Sequence, residues 1–114
     1  MANDVFNYDL ILENYMGEKE VVLDVLNVYK NKVEKQLDKI EQAIVDKNIG
    51  VLKFEAHSIK GGSYNVTAKR IGDIAAKMES DCKNNNISNI DSYFKDLKEE
   101  FKKFVEAIAY LFKW

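Results

Sequence analysis

No proline occurs anywhere in the 114 residues, where about 5% is usual. Glycine, the other common breaker, is present only five times. A chain this poor in breakers favours long, uninterrupted helices, and it can contain no cis-proline turn. The hydrophobic pattern agrees, because no strand-like alternation is visible and the apolar residues recur in steps of three and four.

Asp4 to Tyr15 is a short apolar segment that Met16-Gly17 ends. Glu18 to Val45 carries Val22, Leu26, Tyr29, Val33, Leu37, Ile40 and Ile44 on one stripe, which predicts a long amphipathic helix. Asn48-Ile49-Gly50 reads as the turn after it. A third helix is predicted from Val51 to Tyr64 or Val66, with Leu52, Ala56, Ile59, Ser63 and Val66 in a row. A fourth is predicted from Ala68 to Lys83, with Ile71, Ile74, Ala75, Met78 and Cys82 on one face. Asn84-Asn85-Asn86 marks the next turn. Ser88 or Asn89 is placed to cap a last helix, which repeats Ile90, Phe94, Leu97, Phe101, Phe104, Ile108 and Leu111. The expected fold is all-α: an antiparallel up-down four-helix bundle with a short extra N-terminal helix, one domain over residues 1–114.

Composition narrows the function. A chain that is 46% hydrophobic and 32% charged can build a core and is no disordered tail. Its formal charge of −2 argues against general nucleic-acid binding. The longest apolar run, Ala107 to Phe112, is far short of the roughly 20 residues a membrane span needs. No signal-peptide pattern opens the chain. The lone Cys82 can form neither an internal disulfide nor a Cys-rich zinc site, and it suits a reducing cytoplasm. A cytoplasmic monomer is the expectation. Charge is unevenly spread: residues 1–56 hold 7 basic and 11 acidic side chains, residues 57–83 hold 5 and 3, and residues 84–114 hold 5 and 5. The positive bias begins at the only histidine, His57.

On a helical wheel the third helix's buried row falls within about 40° of Leu52, whereas His57 falls at about 140°. His57 should therefore stand in water at mid-helix. Lys53, Phe54, Lys60, Gly61 and Tyr64 are its surface neighbours by spacing. A glycine inside a helix costs about 1 kcal/mol relative to alanine, so Gly61 beside an exposed imidazole leaves a bare patch that needs a reason. Taken alone, a solvated histidine on a helix usually does nothing, and Gly61-Gly62 could equally be a helix end.

The segment Ala56-His57-Ser58-Ile59-Lys60-Gly61 weighs against that bland reading. It resembles the signature of histidine-containing phosphotransfer (HPt) domains, Ala-His-x-Leu-Lys-Gly followed by small residues, Asn and an apolar residue. Ser63, Asn65, Val66, Ala68 and Ile71 continue the pattern, and Met78-Glu79 resembles the Leu-Glu pair that closes the family's next helix. Upstream, Asp9, Leu12, Gly17, Leu26 and Tyr29 are similar to the family's opening helix, its turn and the start of its long helix. Thr67 departs from the pattern, standing where many members have glycine. Tyr64 departs too, standing where a smaller residue is common.

The resemblance implies a phosphocarrier of a two-component phosphorelay, and not an enzyme with its own kinase or nucleotide site. In that family the histidine takes a phosphoryl group from a receiver-domain aspartyl phosphate and passes it to another receiver aspartate. His57 is then the phosphoacceptor. Lys60 offsets phosphate charge, Gly61 permits close approach of the partner, and Lys53, Phe54, Ser58 and Tyr64 supply docking contacts. The implied partners are response-regulator receiver domains and a hybrid histidine kinase. No cofactor or metal is expected on this chain, since Mg²⁺ belongs to the receiver. The chemistry suits the residues: neutral imidazole, with a reference pKa of about 6.5, is a nucleophile near neutral pH, and phosphoryl transfer asks chiefly for positioning and charge neutralisation. The alternative is a helical docking or scaffold bundle whose histidine is never phosphorylated. A general-base enzyme is disfavoured, because no Ser, Cys or carboxylate stands at a persuasive spacing from His57 on its own helix face.

Overall fold

The structure, a computed structural model, describes residues 5–112. It contains the helices α1 (Tyr8–Asn14), α2 (Lys19–Asp46), α3 (Ile49–Asn65), α4 (Lys69–Lys83) and α5 (Ile90–Leu111). The 28 residues of α2 set the long axis: at about 1.5 Å per residue they span about 42 Å, and the molecule measures 43 × 22 × 21 Å. Short connections force neighbouring helices to run antiparallel. Contacts run from α2 to α3, α3 to α4, α4 to α5 and back from α5 to α2, so four helices close a bundle, with α1 resting on α2. Among the described residues there is no strand.

Each turn is local chemistry. Asn7 and Asn48 cap α1 and α3, their side-chain oxygens accepting from the backbone N–H groups of Leu10 and Val51 at 2.9 and 3.1 Å. Lys47 ends α2 in the left-handed region at φ 54°. The last helix begins at Asn89 without the expected side-chain cap; Ser88 instead donates to Asn86. At the N-terminus the helix starts at Tyr8, later than the sequence suggests, because Asn7 is taken as its cap; the expected start at Asp4 lies outside the described residues.

The predicted stripes supply the core, with Ile44, Ile74 and Leu111 only partly buried at its edges. Leu26, Tyr29, Val33, Ile40, Leu52, Ala56, Ile59, Ile71, Ala75, Met78, Leu97, Phe101, Phe104 and Ile108 are all inside, whereas Leu37 is only half-buried at the edge of the stripe. Phe104 is the hub: its ring lies 5.2 Å from Phe6, 4.9 Å from Tyr29 and 6.3 Å from Phe101, centroid to centroid. Cys82 is buried, and desolvation pushes its thiol above the usual range, consistent with a small packing residue. The Tyr29 hydroxyl, buried beside Phe104, shares a 2.6 Å hydrogen bond with Ser63, and burial drives its pKa up.

Candidate functional site

Helix α3 is uninterrupted through Gly61 and Gly62, so neither glycine ends it. Its apolar row turns inward, and His57 is left facing out with two-thirds of its side chain in water. A Cβ built on Gly61 would meet nothing within 4 Å. The bare patch anticipated beside the histidine is therefore present, and no contact inside the chain requires its glycine. Phe54 on the same helix is also 67% exposed.

A carboxylate reaches the imidazole from across the α3–α4 interface. Glu79 Oε2 lies 2.7 Å from His57 Nδ1, and Glu79 Oε1 lies 2.6 Å from Lys60 Nζ. Lys83, one turn further along α4, places its Nζ 3.6 Å from Oε2. The Glu79 side chain is only 6% exposed. Burial opposes its charge, but the Lys60 contact, then the His57 hydrogen bond and the Lys83 charge, outweigh it and hold the carboxyl near a pKa of about 2. An ionised carboxylate can only accept. Nδ1 of His57 must therefore carry the ring proton, which leaves the lone pair of the neutral ring on Nε2.

This corrects two expectations. Lys60 does not stand mostly in water: it is half-buried and bound to Glu79. And His57 does have a carboxylate partner, supplied by α4 and invisible to a wheel drawn for α3 alone. The one sequence signal for Glu79 is its place in the Met78-Glu79 pair.

The expected docking residues separate. Lys53 and Phe54 are exposed on α3. Ser58 turns toward α2, where its hydroxyl accepts from the Gln36 amide at 2.9 Å while the same amide donates to buried Glu55 at 3.2 Å. Tyr64 leans onto α4: its ring lies over Gly72, where a Cβ would overlap it, and its hydroxyl donates to Asp73 at 2.7 Å. Tyr64 keeps 45% of its surface open, yet part of its role is inside the chain. Thr67 adopts the left-handed backbone, φ 62°, that glycine would take without strain. Its hydroxyl accepts from Asn7 N–H at 2.7 Å and donates to the Asn7 carbonyl at 3.3 Å. The turn thus keeps the shape a glycine would give, and the threonine ties down the start of the chain.

An exposed imidazole thus has its proton held by a buried carboxylate, with a lysine and an open glycine on the next turn of the same helix. The Hpt domain profile matches residues 24–109. The chain belongs to the Hpt domain family. It is 25% identical over 104 residues to the phosphorelay intermediate protein rdeA of Dictyostelium discoideum, an alignment covering 91% of this chain and 41% of that protein's length. The fold is that of histidine-containing phosphotransfer protein B from Pseudomonas aeruginosa PAO1, at a TM-score of 0.85, 16% identity, and 91% and 90% of the two chains. It is also that of the HPT domain of a sensor hybrid histidine kinase from Shewanella, at a TM-score of 0.80, 18% identity, and 94% and 92% coverage. In this Hpt domain no three His, Cys, Asp or Glu side chains among the described residues are grouped to hold a metal ion, and no helix there is long and apolar enough to cross a membrane.

Proposed function

We propose that this Hpt domain is a phosphocarrier in a two-component phosphorelay, with His57 as its phosphoacceptor. The observation that carries the reading is the Glu79–His57 hydrogen bond on an otherwise open imidazole. Nε2 attacks the phosphorus of a receiver aspartyl phosphate, the N–P bond forms as the aspartate O–P bond breaks, and the aspartate leaves as carboxylate. The phosphorylated ring gains positive charge while Nδ1 keeps its proton, and the Glu79 carboxylate offsets that charge. Transfer onward to a second receiver aspartate reverses the same bonds.

Lys60 neutralises phosphoryl charge in this scheme, and Gly61 lets the partner's backbone approach. Lys53 and Phe54 extend the contact, with Tyr64 and Ser58 at its margins. The partners are response-regulator receiver domains and a hybrid histidine kinase. Mg²⁺ belongs to the receiver, this chain holds no cofactor of its own, and phosphate enters through the partner and not through a nucleotide site here. The test is incubation with a phosphorylated receiver domain. Acid-labile label is expected on the wild type and none on His57→Gln, with both proteins equally folded. Label on folded His57→Gln would overturn the assignment, and absence of label on both would favour a docking bundle that is never phosphorylated.

A further inference from the structure

Between Lys32 and Glu41, helix α2 sorts its surface charges by side. Lys32, Lys35 and Lys39 share one stripe with Val28, within about 60° on the wheel, and all four line a groove of about 460 Å³ against Phe54 of α3. Glu34, Asp38 and Glu41 occupy the opposite flank of the same helix, toward α5. A helix stabilised only by itself would alternate the signs at steps of three and four, because like charges at those spacings repel. Here Lys32–Lys35 and Lys35–Lys39 are like-charged neighbours. All three lysines are exposed, and among the described residues none has a carboxylate within 4.0 Å, so their charge is left to face a partner. Val28 and Phe54, the groove's two apolar lining residues, are 68% and 67% exposed. The groove is continuous with the candidate site, since Phe54 precedes His57 by one helical turn.

We propose that this lysine-edged groove selects the partner: it seats a receiver domain whose surface beside its phosphoaspartate carries an apolar contact flanked by carboxylates. The proposal rests on the phosphocarrier reading and adds to it the charge of the receiver. The charge complement is one argument, and the other is position. A partner that brings an acidic phosphoaspartate site onto His57 and leans toward α2 covers Phe54 first, Val28 next, and then meets the three lysines. Electrostatic complementarity of this kind sets partner choice and encounter rate more than raw affinity.

The test uses the full chain and two isolated receiver domains activated with beryllofluoride, one with an acidic face around its aspartate and one with a basic face. Their binding is titrated with wild type, Lys32→Gln/Lys35→Gln/Lys39→Gln and Lys32→Glu/Lys35→Glu/Lys39→Glu, each verified as folded by its melting curve. Wild type should prefer the acidic receiver. The Gln variant should weaken that complex about tenfold, the Glu variant should reverse the preference, and added salt should shrink both effects. The same ranking in wild type and Glu variant would overturn the proposal. So would a wild-type dimer that the Glu variant abolishes without altering receiver binding, because the groove would then seat a second copy. Direct labelling of His57 by phosphoramidate, expected to be equal in all three proteins, reports separately on the phosphocarrier reading: its failure would remove the chemistry while the binding ranking still decided the groove.

Discussion

His57 Nδ1 and Glu79 Oε2 stand 2.7 Å apart on different helices, 22 residues apart in sequence. That contact fixes the tautomer of an exposed ring, and it adds to the Lys60 contact that keeps the buried carboxylate ionised. Glu79 in turn binds Lys60 at 2.6 Å, so the histidine and the lysine of the signature are held by a single acid. The arrangement presents Nε2 as the free nitrogen and stores a negative charge beneath the ring, where positive charge develops on phosphorylation.

Glu79→Gln keeps the shape and removes the charge. We expect phosphoryl transfer to slow by about tenfold or more, equivalent to about 1.4 kcal/mol or more of barrier, with the largest defect in the step that forms phosphohistidine. The same variant tests the pKa. The Glu79 carboxyl titrates near about 2 in the folded chain, against about 4.3 when unfolded. Its contribution to stability is therefore complete above the unfolded value and is lost as pH falls through the folded one. The stability gap between wild type and Glu79→Gln, measured by urea denaturation, should narrow steadily as pH falls from about 5 toward 2. A gap independent of pH across that range would refute the assigned ionisation.

Lys60→Ala should slow transfer by about tenfold at low salt and less at high salt, as screening weakens the wild-type interaction. A lysine wholly in water could be replaced with the melting temperature nearly unchanged. The contact with Glu79 revises that expectation. A hydrogen bond to a buried charge is lost, although Lys83 and His57 continue to hold the carboxylate, so a cost of about 1–2 kcal/mol is expected. Lys60→Arg should recover part of both, since the charge returns with a different shape. Equal transfer rates for wild type and Lys60→Ala at low salt would leave Lys60 a structural residue only.

Gly61→Gln separates helix geometry from partner access. The position is open to solvent, and Gln is the better helix former, so the variant should gain up to about 1 kcal/mol. Transfer from every receiver should nevertheless slow, while labelling by phosphoramidate stays normal. A variant that is more stable and transfers normally would show that the glycine has no role in docking.

What the sequence made legible follows from what a helical wheel can express. The apolar stripes of α2 and α5 specify the core almost residue by residue, and the same wheel places His57 and Gly61 in solvent. Contacts between helices are beyond it. Glu79 meets His57 only because α4 folds back along α3. Ser58 turns to Gln36 on α2, and Tyr64 lies on Gly72 because that residue has no side chain to exclude the ring. Each of these depends on the pairing of two helices, and neither helix alone encodes it.

Thr67 is the remaining departure, and the structure gives it two opposing effects. A β-branched residue at φ 62° is strained, by an amount of order 1–3 kcal/mol. Against this stand two hydrogen bonds between its hydroxyl and the Asn7 backbone, 60 residues away. Thr67→Ala keeps most of the backbone strain and loses both bonds, so it should destabilise by about 1–2 kcal/mol. Thr67→Gly loses the same bonds but relieves the strain, so it should lie closer to wild type even though it removes more atoms. Hydrogen exchange should report the loss of the tether in both variants as faster exchange at Asn7 and in α1, with α3 and α4 little changed. The transfer rate should stay near wild type, because the tether lies ten residues beyond His57 and touches neither the ring nor Glu79. If Thr67→Gly proved the less stable of the two, the left-handed turn would carry no strain, and threonine would stand there for its hydroxyl alone.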